Sequence, residues 1–139
     1  MGGQCGVCGD AIDGPRNNEA PSGKYFTATI VDNYKAGSLI DVRVEMMANH
    51  MGWFYFKICP VTNNNVEVTQ QCLDQHPLEI IESPTPRTSP YRWDIPGTYT
   101  QNIAPGWDLP AYTFKLKLPD GLRWVGIHLT CNHFFLMKK

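Results

Sequence analysis

Three segments of the chain alternate apolar and polar residues with a period of two, and this pattern constrains the fold more than any other feature. Ile40, Val42, Val44 and Met46 alternate with Asp41, Arg43 and Glu45. Phe54, Phe56 and Ile58 alternate with Trp53, Tyr55 and Lys57 in the same way, and Tyr112, Phe114, Leu116 and Leu118 with Thr113, Lys115 and Lys117. A period of two sends every second side chain to one face, so each segment predicts a strand with one dry and one wet side. Half-wet strands belong to antiparallel sheets, because parallel sheets are covered on both faces. Tyr25 to Val31, rich in aromatic and β-branched residues, predicts another strand, and Val66 to Thr69 and Leu78 to Ile81 shorter ones. Asn63-Asn64-Asn65 and Pro119-Asp120-Gly121 read as turns. No stretch reads as a convincing amphipathic helix. The expected fold class is all-β, an antiparallel sandwich with long loops.

The rest of the sequence fits one such domain. A chain of 139 residues is too short for two sizeable cores, and 42% apolar residues suffice for one. A net charge of -1 offers no basic footprint, so nucleic acid is not expected as a partner. No apolar run approaches membrane-spanning length, so no membrane is expected either. The stretch to Gly23 reads as loop. Ser83 to Pro110 holds six of the eleven prolines, with Trp93, Tyr99 and Trp107 between them, and reads as an extended surface excursion. Leu122 to Lys139 is apolar on both parities. It reads either as a buried closing strand or as foreign sequence joined at a splice or frame junction, with the second slightly favoured.

Five cysteines suggest disulfides and an oxidising compartment, yet the first residues show no secretory signal. The expected reconciliation is a piece of a longer secreted protein. Cys59 and Cys72 bracket the Asn63-Asn64-Asn65 turn, so adjacent antiparallel strands would bring them within disulfide reach; two buried free thiols are the alternative. Cys5-Gly6-Val7-Cys8 is a weakly specific pair. It suits structural disulfides, a redox dithiol, free thiols, or half of a zinc site completed by Cys72 and His76. His50 lies in Ala48-Asn49-His50-Met51-Gly52, between two strongly alternating strands. A corner histidine held by rigid flanks suits a metal ligand, although a solvated turn histidine is commoner. His76, His128 and His133 show no mutual metal spacing. Trp53 and Tyr55, on the wet parity beside His50, suit stacking on sugar rings; cross-strand packing is the plainer role.

Gly3-Gln4-Cys5-Gly6-Val7-Cys8-Gly9-Asp10, Ala48 through Pro60, Cys72-Leu73-Asp74 and Tyr112 through Leu122 together resemble the chitin-binding type-4 domain of arthropods and other animals. That domain is grouped with the lytic polysaccharide monooxygenases of auxiliary activity family 15. The resemblance covers roughly residues 2–122, leaving 123–139 as a divergent tail. It implies a monomeric immunoglobulin- or fibronectin III-like sandwich whose flat face binds crystalline chitin or cellulose outside the cell. It also implies oxidative cleavage at one copper ion held by an N-terminal histidine and by a second histidine, which His50 matches. Open coordination positions would let that copper activate oxygen. Two departures accompany the resemblance. The chain begins at Met1 rather than histidine, and the tail with Trp124, Cys131 and His133 does not match the family's late segment. One imidazole holds copper weakly, so the chain as written is expected to be catalytically inactive, with Cys5 and Cys8 lacking their usual partners. A non-catalytic secreted interaction module, stabilised by disulfides or zinc, is the alternative function.

Overall fold

The computed structural model describes residues 6–30, 32–46, 51–61, 65–97 and 111–122, together with the backbone of 126–130. The element order is β1 (Leu39–Glu45), β2 (Trp53–Phe54), β3 (Lys57–Val61), α1 (Gln70–Gln75), β4 (Glu79–Glu82), β5 (Trp93–Asp94), β6 (Ala111–Lys117) and β7 (Gly126–Thr130). The strands pair antiparallel as a three-stranded sheet in the order β1-β6-β4 and as two ribbons, β2-β5 and β3-β7. The fold is all-β, as the alternation requires.

The register explains why that alternation forms a core. Ile40 pairs with Leu116, Val42 with Phe114 and Val44 with Tyr112, so the dry parity of β1 meets the dry parity of β6. On the far side of β6, Ile80 of β4 pairs with Leu116, and the register slips by a bulge before Glu82. This apolar sheet face packs on Phe54, Phe56, Ile58 and Trp93 from the opposing layer. Phe56 lies 4.9 Å from Phe114 and Trp93 5.0 Å from Tyr112 between ring centroids, while Phe54 stacks on Trp93 with planes 7° apart. Such aromatic pairs add to area burial through offset and edge contacts.

A second, smaller cluster lies beside β3. Val7, Cys59, Val61, Val68 and Leu73 are buried together, joining the N-terminal loop, β3 and α1. The loop is shaped by Glu19, a carboxylate only 4% exposed. It accepts from the Val7 amide and from Arg16, each at 2.9 Å, so the buried charge is paired on both oxygens. A Cβ on Gly6 would sit 2.5 Å from Glu19 Oε1, which explains a glycine there.

Several expectations need correction. Tyr25 to Ile30 forms no strand: Ala28 has φ 55°, which breaks the extended run, and the Tyr25 and Phe26 amides donate back to Asn17 and Gly23. Tyr25 and Ile30 are 60% and 64% exposed, so these two strand-forming side chains find little cover. Val31, the end of that segment, lies outside the described residues. Val66 to Thr69 is loop instead of strand, because the Thr69 hydroxyl accepts from the Cys72 amide and caps α1. Leu78 to Ile81 is a strand, displaced by one residue to β4. Nor is the proline-rich stretch only a surface excursion. Trp93 is fully buried, with its indole N–H donating to the Thr85 carbonyl and hydroxyl. Tyr99 and Trp107 lie outside the described residues, as do Asn63 and Asn64; Asn65 is in a turn. In the tail, Gly126–Thr130 pairs with β3, Cys59 standing opposite His128; Cys131 and His133 lie outside the described residues.

Candidate functional site

The outward parity of the Trp53–Lys57 segment is where the sequence places its candidate site. Phe54, Phe56 and Ile58 are buried, and Trp53, Tyr55 and Lys57 between them are half-buried at the surface. His50 lies outside the described residues, which resume at Met51. The backbone turns sharply there: Met51 has φ 62° and Gly52 φ 114°. A positive φ at a non-glycine residue costs on the order of 1 kcal/mol, and such positions cluster where a chain is held for function. Met51 is exposed, and the Gly52 carbonyl accepts from the Ile95 amide at 2.9 Å, which ties the turn to β5.

β5 adds residues that sequence reasoning missed. Trp53 stands directly opposite Asp94 in the β2-β5 ribbon. Trp93 and Ile95 face the core, so Arg92 and Asp94 share the outward side with Trp53. The Arg92 guanidinium lies 4.2 Å from the Trp53 ring centroid and donates to Asp94 Oδ1 from Nε at 2.9 Å and Nη2 at 2.5 Å. The Thr88 hydroxyl donates to Asp94 Oδ2. These contacts hold the Asp94 carboxyl below its ordinary value, the bond from Arg92 being the largest cause. Tyr55 lies close enough to interact electrostatically with Arg92 as well. The signal that would have found this pair is the short alternation Arg92-Trp93-Asp94-Ile95, hidden among prolines.

The cysteine expectations divide. Cys59 and Cys72 form a disulfide with Cα atoms 5.4 Å apart, although Cys72 comes from α1 and not from a neighbouring strand. That bond removes Cys72 from any zinc set, and His76 is engaged through Nδ1 with the Cys72 carbonyl at 2.8 Å. The zinc site built on Cys5, Cys8, Cys72 and His76 is therefore overturned. Cys8 is a free, exposed cysteine, and Cys5 lies outside the described residues. Partial burial of its sulfur, then the Glu19 and Asp10 carboxylates, push the Cys8 thiol up, the opposite of what a redox-active thiolate requires. Among the described residues no group of three His, Cys, Asp or Glu side chains is placed to hold a metal ion. The described residues alone thus do not make a copper site, and no helix among them is long and apolar enough to cross a membrane.

Comparison with known proteins follows the same lines. A family model described as lytic polysaccharide mono-oxygenase, cellulose-degrading, matches residues 1–125. Among solved structures, the AA15 lytic polysaccharide monooxygenase from Thermobia domestica in the Cu(I) state is similar at 37% identity with a TM-score of 0.70. The match covers 87% of this chain and 55% of that one, so the chain spans little more than half the length of this relative. No curated protein matches the chain. From residues 1–125 and the shared antiparallel β-fold, the chain belongs to the lytic polysaccharide monooxygenase family.

Proposed function

We propose that this domain lies on a crystalline β-linked polysaccharide, chitin or cellulose, through the face that carries Trp53 and Tyr55, with His50 giving one imidazole nitrogen to copper. The observation that supports the reading most is the pairing of two half-buried aromatics on one outward parity with the strained Met51-Gly52 turn that follows His50. Family membership supplies the substrate class. Copper, when bound in such a family, supplies oxygen activation; the residues described here bind and orient the polymer. Trp53 and Tyr55 offer flat apolar surface with polar edges, which suits a pyranose ring that is apolar on its faces and polar around its rim. The domain proper spans 1–122, with 123–139 a divergent tail, and acts as a monomer. An insoluble polymer lies outside the cell, and a disulfide is at home in that oxidising environment.

Two measurements on the full chain test the reading. Sedimentation with insoluble chitin and with cellulose is expected to remove the protein from solution with at least one polymer; retention on neither contradicts the binding assignment. Electron paramagnetic resonance of added Cu(II) is expected to lose a nitrogen coupling in His50→Ala, and an unchanged spectrum contradicts the role of His50. Retention of His50→Ala on the polymer is expected to match the parent chain, because the ring-bearing face is untouched.

A further inference from the structure

We propose that Arg92, rather than the Trp53 ring, makes the polysaccharide contact on this face, and that Trp53 serves as the platform holding the Arg92 guanidinium flat and outward. The inference rests on the face and the substrate class of the proposed function and replaces stacking on Trp53 by contact through Arg92. Trp53 has a cation over its ring, 4.2 Å from the centroid. A sugar stacking on that side would have to displace a guanidinium that two hydrogen bonds to Asp94 also retain. Asp94 is itself fixed from its other oxygen by Thr88. Trp53 and Asp94 thus hold the guanidinium and Thr88 holds Asp94, so little rotamer freedom is left to lose on binding.

What this arrangement offers a ligand is hydrogen-bond donation. A guanidinium carries five N–H donors in a planar fork and no acceptor. The ion pair uses Nε and Nη2, while a third of the Arg92 side chain (33%) remains exposed. Asp94 accepts from neighbours on both oxygens and its side chain stays 38% exposed, so the donors that the cluster offers are the free N–H groups of Arg92. The complementary ligand is an uncharged polymer rich in oxygen acceptors: hydroxyl and ring oxygens in either polysaccharide, and amide carbonyls in chitin. Because Arg92 and Asp94 neutralise each other, the pair adds no net positive charge that would attract a polyanion, which separates this role from nucleic-acid or sulfated-polymer binding.

The two roles of Trp53 predict opposite results from a double-mutant cycle. Retention of the full chain on insoluble chitin and on cellulose is measured for the parent, Arg92→Ala, Trp53→Ala and the double variant, with thermal midpoints recorded for each. If Arg92 makes the contact, each single change weakens retention about tenfold, as expected for the loss of one well-placed charged hydrogen-bonding group, and the double variant is no weaker than either. Arg92→Lys, which keeps the charge without the fork and disturbs packing least, weakens retention nearly as much. Retention that is unchanged or improved in Arg92→Ala and Arg92→Lys, while Trp53→Ala loses it, overturns the inference and makes the ring the platform. A parent chain retained by neither polymer overturns the proposed function, and this inference with it. Loss confined to chitin identifies the amide carbonyl as the acceptor; loss on both polymers identifies the oxygens they share.

Discussion

Asp94 ties the outward face to pH. Its carboxyl is held below the ordinary value, first by the hydrogen bond from Arg92 and then by Thr88. A depressed carboxylate stabilises the folded state above its unfolded pKa and loses that contribution as pH falls through the folded value. The ordinary value is near 3.9, so the Arg92–Asp94 contribution is complete at neutral pH and fades only below about pH 4. Thermal unfolding from pH 7 to pH 3 is expected to show Asp94→Asn less stable than the parent at neutral pH, with the gap closing in the acid limb. A gap that stays constant, or widens toward acid, contradicts the pairing. At this scale, the orientations of Trp53 and Tyr55 were legible because a period of two leaves no choice of face. Arg92 and Asp94 were not legible. Their alternation with Trp93 and Ile95 lasts four residues between Pro90 and Pro96, and tertiary stacking on Phe54, rather than local pattern, is what buries Trp93.

Elements followed the sequence where both faces of a strand had a definite fate. β1 and β6 each read as seven-residue alternations and pair in register over their full length. Tyr25 to Ile30 has the composition of a strand but pairs with nothing as a strand among the described residues; composition describes what a pleated surface would accept, not whether one is present. Val66 to Thr69 failed for a different reason, since a threonine one residue before a helix start is worth more as a cap than as a strand residue. The Cys59–Cys72 bond joins β3 to α1 across 13 residues. Replacing both cysteines by serine is expected to cost about 3 kcal/mol of stability, through the freed loop and through hydroxyls placed among Val7, Val61 and Leu73. Urea unfolding measures it directly, and a loss below about 1 kcal/mol would show that the α1–β3 contact holds without the covalent link.

The molecule as a whole presents contrasting surfaces. The wet side of the β1-β6-β4 sheet carries Lys115 between Glu82 at 3.4 Å and Asp41 at 4.0 Å, a solvated charge ladder. The β2-β5 side carries Met51, Trp53 and Tyr55 with the Arg92–Asp94 pair. The aromatic core between the layers fixes the spacing of both, so the binding face is a consequence of the packing that makes the sandwich. A sequence alone could place the aromatics on a wet parity; it could not place β5 beside them, because that contact is made across forty residues of chain. Hydroxyl-radical labelling of the full chain, free and bound to insoluble chitin or cellulose, is the most direct test of which side meets the polymer. The account predicts protection of Met51, Trp53 and Tyr55 on binding, with Tyr25 and Leu39, exposed elsewhere on the surface, labelled as in the free protein. Protection of Tyr25 or Leu39, with Met51, Trp53 and Tyr55 labelled as before, would contradict it.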